Sequence, residues 1–144
     1  MKNFKKYSIF MLLLLLLSAC GKQKISLPKS NDLDYINVIE VDKKMKTEKE
    51  KTKIEKEEDI KTFIDSVSSA TKTKKESLSD EPTNVDKYLK VSFYHKDAKD
   101  SPSIMYVYKS KDYTEDKYFY LEQPYKGIFR IKKEKVKNIN WLND

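Results

Sequence analysis

Cysteine occurs once in this 144-residue chain, at Cys20; glycine occurs twice, at Gly21 and Gly127; histidine, tryptophan and arginine occur once each. One cysteine excludes an intrachain disulfide. A structural zinc site wants four Cys or His ligands, and Cys20 and His95 are the only two. Two glycines leave nothing for a phosphate-cradling loop, and Ser77 and Ser79 lack a G-x-S-x-G elbow. Asp97, Asp100, Asp112, Glu115 and Asp116 do not have the spacing of an EF-hand, and its turn glycine is missing. His95 reads as a solvated strand-end residue, because a general base needs an orienting partner and a substrate pocket. No cofactor, no metal and no catalytic set is therefore expected. The scarcity of arginine also matters: nucleic-acid binders use its bidentate fork and gather their cations on one face. Here lysine and glutamate are interspersed, as in "KTEKEKTKIEKEED", so no nucleic-acid partner is expected and the net charge of +7 reads as a solvated surface.

What the chain does have begins at the N-terminus. Lys2, Lys5 and Lys6 precede an apolar run, Ile9 to Leu17, followed by Ser18, Ala19 and Cys20. A basic start, a short apolar segment and small residues before a cleavage point make a secretory signal peptide, residues 1–19. The run is too short to span a bilayer, which needs about twenty residues. "LSAC" is similar to the bacterial lipobox. That likeness implies a diacylglycerol on the sulfur of Cys20, cleavage between Ala19 and Cys20, and a mature chain held to the membrane on its outer face. Residues 20–34 then read as the lipidated cysteine and a flexible polar tether.

Residues 35–144 read as one small α+β domain: an antiparallel sheet of about five strands with one amphipathic helix packed on one face. "YINVIEV" (Tyr35 to Val41) is the first strand. The charged stretch Lys43 to Glu58 is either a hairpin returning on that strand or an extension of the next helix; Thr52 and Ile54 favour the hairpin. Ile60, Phe63, Ile64, Val67 and Ala70 recur with a 3.6-residue period, the buried stripe of the helix. Thr71 to Asn84, rich in Ser, Thr, Asp and Pro, reads as a loop. Period-two alternation in "KYLKVSFYH", "SIMYVYK", "KYFYLEQ" and "GIFRIK" predicts a four-strand meander. Val136, Ile139 and Leu142 are expected to pack back from a last helical turn. The many tyrosines fit two roles: good strand formers, or an outward recognition surface.

Two stretches single themselves out: "TKKESLSDEP", with Thr73, Ser77, Asp80 and Pro82, and "YFYLEQPYKGIFRI", with Glu122 and Tyr125. They resemble, in the right order, a family of small Gram-positive lipoproteins known only as domain-of-unknown-function family 5301. The resemblance covers Tyr35 to Leu142 and implies a lipid-anchored α+β domain, with no activity attached. The short oxygen-bearing side chains of the loop and the phenol of Tyr125 are expected to meet in space, because buried polar groups need partners. They would hold a strand corner or line a site. The leading functional expectation is a non-enzymatic binding module at the outer membrane face, with a protein, peptide or wall-polymer ligand. An envelope enzyme or inhibitor using Glu122, Tyr125 and Thr73–Asp80 is the alternative; a leader peptide that itself signals is a third.

Overall fold

A computed structural model describes residues 22–109 and 116–143. The expected leader and the expected lipobox with Cys20 lie outside the described residues. The described residues form one seven-stranded, wholly antiparallel sheet in the order β2-β1-β4-β5-β6-β7-β3. The strands are β1 (Leu33–Asp42), β2 (Thr47–Ile54), β3 (Thr71–Lys72), β4 (Lys87–His95), β5 (Ala98–Lys109), β6 (Tyr118–Gln123) and β7 (Gly127–Lys132). Two helices accompany them, α1 (Glu57–Val67) and the single turn α2 (Asn140–Asn143).

The expectation of about five strands is corrected to seven, and the two extra strands are edge strands. β2 has five charged residues in eight and a single apolar one, Ile54, so it shows no apolar alternation. It nonetheless pairs with β1 from Thr47 to Ile54, which settles the hairpin against the helix extension. The turn between them is held by Asp42, whose Oδ1 accepts from the backbone N–H groups of Lys44 and Met45 at 3.0 and 3.1 Å. β3 is two residues long, inside the stretch read as loop, and closes the free side of β7.

α1 forms where its stripe predicts. Glu57, Glu58 and Asp59 fill its first turn, where negative charge meets the positive end of the helix dipole. Ile60, Phe63, Ile64 and Val67 are buried, each worth about 1.5–3 kcal/mol when fully removed from water. They pack on one face of the sheet with Val38, Val91, Phe93, Met105, Phe119, Leu121 and Phe129. Val136, Ile139 and Leu142 close this core, as the tail pattern predicts.

The opposite face is covered too. β2, α1 and β3 carry the chain from one sheet edge to the other, and residues 73–86 bring it back across the second face. Thr73 N and Oγ1 both donate to the carbonyl of Ile128 at 2.8 Å, on β7. Lys75 Nζ then lies 5.2 Å from the ring centroid of Tyr120, on β6. Tyr88 on β4 donates to Glu81 at 3.0 Å, and Lys43 at the end of β1 donates to the carbonyl of Pro82. The second-face tyrosines Tyr88, Tyr106 and Tyr120 are thus 4%, 3% and 3% exposed; they are core, not a recognition surface. Tyr35 and Tyr94, stacked with centroids 4.3 Å apart, remain half-exposed on this side, as do Tyr108 and Tyr118.

Residues 22–34 are not a flexible tether over the described length. Lys72 N donates to the carbonyl of Gln23 at 2.8 Å and Ile25 N to that of Ala70 at 3.1 Å, so the segment lies against β3, antiparallel to it. Ile25, one of three large apolar residues in a mainly polar run, is 8% exposed and belongs to the core.

Candidate functional site

The loop and the corner between β6 and β7 meet, as their chemistry predicts. Ser77 Oγ donates to Glu122 Oε1 at 2.7 Å, and Tyr108 donates its hydroxyl proton to Glu122 Oε2 at 2.8 Å. Period-two alternation turns Tyr108, Tyr120 and Glu122 to the same side of the sheet, where the loop arrives. Glu122 is 5% exposed. A carboxylate that deep needs its lone pairs filled, and two hydroxyls fill them. Burial, with the Glu122 carboxylate next, drives the Tyr108 phenol far above its ordinary range. A small cavity of about 210 Å³ remains beside this triad under the loop, lined by Pro82, Val85 and Ile128 among others. The filled corner supports a structural reading of Ser77, Pro82 and Glu122. Thr73 likewise serves as a backbone anchor.

Asp80 and Tyr125 behave differently. Lys126 N donates to the carbonyl of Gln123 at 3.0 Å, which closes a four-residue turn with Pro124 second and Tyr125 third. Tyr125 has φ 59°. The third position of a Pro-led turn with a left-handed residue normally takes glycine or asparagine, and a bulky residue there is strained. The expectation that Tyr125 packs into the corner is corrected: its side chain is 66% exposed. Its hydroxyl hydrogen-bonds the Asp80 carboxylate, and that bond raises the phenol above its ordinary value.

Together these residues wall an open cleft of about 720 Å³. Its sides are Ser26–Pro28, Asp80 and Glu81, Pro102–Ile104 of β5, and the Gln123–Lys126 turn. Gln123 is the carboxamide of the corner, a group that needs partners. It is 7% exposed; its Nε2 donates to the carbonyl of Ser26 at 2.8 Å, and its buried Oε1 has no partner. The carbonyl of Ser26 fixes which end of the amide is the donor. That acceptor, Oε1, is closed off from solvent and has no donor among the described residues. His95, also at the cleft, is bonded to Ser103 Oγ at 2.7 Å. Tyr106 in the floor is pushed up to about 12 by burial first, then by Glu81, Asp80 and Glu122.

A second cavity, about 440 Å³, lies at the other end of the sheet. Its floor is apolar, with Leu89, Val107, Phe119 and Trp141. Rim charges are matched within the chain: Lys44–Asp86 at 3.0 Å, Lys87–Asp42 at 3.1 Å and Lys51–Glu40 at 3.9 Å. It adjoins Lys109, next to residues 110–115 that lie outside the described part.

Among the described residues no group of three or more His, Cys, Asp or Glu side chains is placed to hold a metal ion, and no helix is long and apolar enough to cross a membrane. No curated protein and no solved structure matches the chain. The family model DUF5301, described as "Domain of unknown function (DUF5300)", matches residues 21–130. The match spans the docked N-terminal segment, the helix, the covering loop and all but the last two residues of β7, and the chain belongs to this family.

Proposed function

We propose that the protein is a lipid-anchored, non-enzymatic binding module on the outer face of the membrane, and that its ligand, a protein or peptide segment or a wall polymer, occupies the cleft at the Gln123–Lys126 turn. The observation that carries this reading is Tyr125. A bulky side chain occupies a left-handed turn position that glycine fills without strain, and it is largely exposed at the mouth of a cleft. A fold that needed only a turn would gain from glycine; a surface that needs a rigid phenol retains tyrosine. The buried, doubly bonded Glu122 offers no free carboxylate for acid–base work. The anchoring half of the proposal rests on Cys20 within "LSAC".

Two experiments test the two halves. A fatty-acid probe labels the wild-type chain in cells and not Cys20→Ala; equal labelling of both removes the anchor. A photo-crosslinking amino acid at position 125 yields a discrete envelope adduct, whereas at position 45, where Met45 is also 66% exposed, it does not. No adduct at 125, or the same adduct at both positions, removes the cleft.

A further inference from the structure

We infer that the sheet edge formed by residues 22–25, β3 and β7 is a docking surface for anionic phospholipid headgroups, so that the domain lies directly on the bilayer rather than hanging above it. The inference rests on the lipid anchor proposed at Cys20. It adds a second membrane contact, made by the folded protein itself.

The first ground is distance. The chain is already bonded to β3 at Gln23, three residues after Cys20. Two or three residues span at most about 7–11 Å. With a diacylglycerol on Cys20, this edge of the sheet cannot leave the headgroup layer while the segment stays docked.

The second ground is charge. The stretches 22–26, 71–75 and 124–133 contain two, three and four basic residues and no carboxylate. The fold gathers all three: Lys24 bridges to Thr71, Thr71 and Lys72 pair with Arg130 and Phe129, and Lys72 lies over Gly127. Lys22, Lys24, Lys72, Lys74 and Lys126 have no ion-pair partner among the described residues. The opposite edge differs. On β2, Glu48 and Glu50 alternate with Lys49 and Lys51, and three acids open α1. Lys132 and Lys133, at the far end of β7, are matched by Glu134 and Asp116 at 3.6 and 2.6 Å; the five unmatched lysines gather on the edge nearest the anchor. A basic patch against an anionic leaflet gains about fivefold in binding per lysine.

The test uses Cys20–Asp144, which holds every described element, with Cys20→Ser so that no lipid can attach. Its co-sedimentation is measured at low salt with phosphatidylcholine vesicles, with and without phosphatidylglycerol. Binding is expected only where phosphatidylglycerol is present. The triple variant Lys22→Gln, Lys24→Gln, Lys74→Gln, all exposed side chains, is expected to bind about a hundredfold more weakly. Lys46→Gln, Lys49→Gln, Lys56→Gln removes the same charge from the far edge and is expected to change binding less than about threefold. Equal loss in both triples, no loss in the first, or no dependence on phosphatidylglycerol overturns the inference. The assay does not depend on lipidation in cells, so the fatty-acid labelling result and the vesicle result can fail separately.

Discussion

At the scale of single residues, the buried carboxylate of Glu122 sets the strongest local demand. Ser77→Ala removes one of its two hydroxyl donors and is expected to cost about 1–3 kcal/mol, the penalty of an under-bonded buried group, read from urea unfolding. A second outcome concerns alkaline pH. Tyr106 is pushed up to about 12, chiefly by burial. A phenol raised in the fold contributes stability that is fully present below its unfolded value of about 10 and is lost as pH rises towards 12. The urea midpoint should therefore hold from pH 7 to 9 and fall above pH 10, less steeply in Tyr106→Phe. An unchanged slope in that variant would assign the alkaline loss to other groups. The meeting of the loop with the phenol of Tyr125 was legible in the sequence, because each side carries groups that need partners; the burial of Glu122 on Ser77 was not. Tyr108 was not legible as a site residue, and Gln123 only as a carboxamide in need of a partner. Both sit inside regular strand alternation, and only the arrival of the loop at Glu122 and of Ser26 at Gln123 gives them roles.

At the scale of elements, α1 and the four long meander strands follow from periodicity alone. Phe63, 2% exposed and packed with Phe93 and Trp141 at centroid distances of 6.3 and 5.4 Å, is the anchor of the helix. Phe63→Ala should cost about 3–5 kcal/mol, visible as a large fall in melting temperature. What periodicity could not show were the elements stabilised by pairing rather than by burial. β2 carries almost no apolar side chain, β3 is too short to have a period, and residues 22–34 offer few apolar cues beyond Ile25, Leu27 and Leu33. Amide exchange separates these cases. The amides of Ile25 and Lys72, each bonded across that edge, should be protected well beyond those of exposed β2 residues such as Glu48. Rapid exchange of both would show that the segment is a tether after all.

At the scale of the whole molecule, one sheet is clamped on both faces, by a helix on one side and by residues 73–86 on the other. Each cover packs chiefly on the sheet, the helix also on Trp141 of the tail, so the loss of either exposes residues that the other also helps to order. Thermal unfolding should accordingly be a single transition, coincident by far-ultraviolet circular dichroism and by tyrosine fluorescence. An early change in the tyrosine signal, with secondary structure retained, would show that the loop detaches as a unit of its own.

The attachment of residues 22–25 to β3 also has a mechanical consequence. Load applied between the N-terminus and a ligand in the cleft falls first on the two backbone hydrogen bonds at Gln23 and Ile25 and on the amide of Gln123 that holds Ser26. These can open one after another, without disturbing the central strands. Peeling residues 22–29 away releases eight residues, or about 26–29 Å of extended chain, before the bonds of Lys96 to Asn31 and Asp32 are reached. Under tension the short leash becomes a long one, and when the tension falls Ile25 returns to its place in the core and draws the domain back.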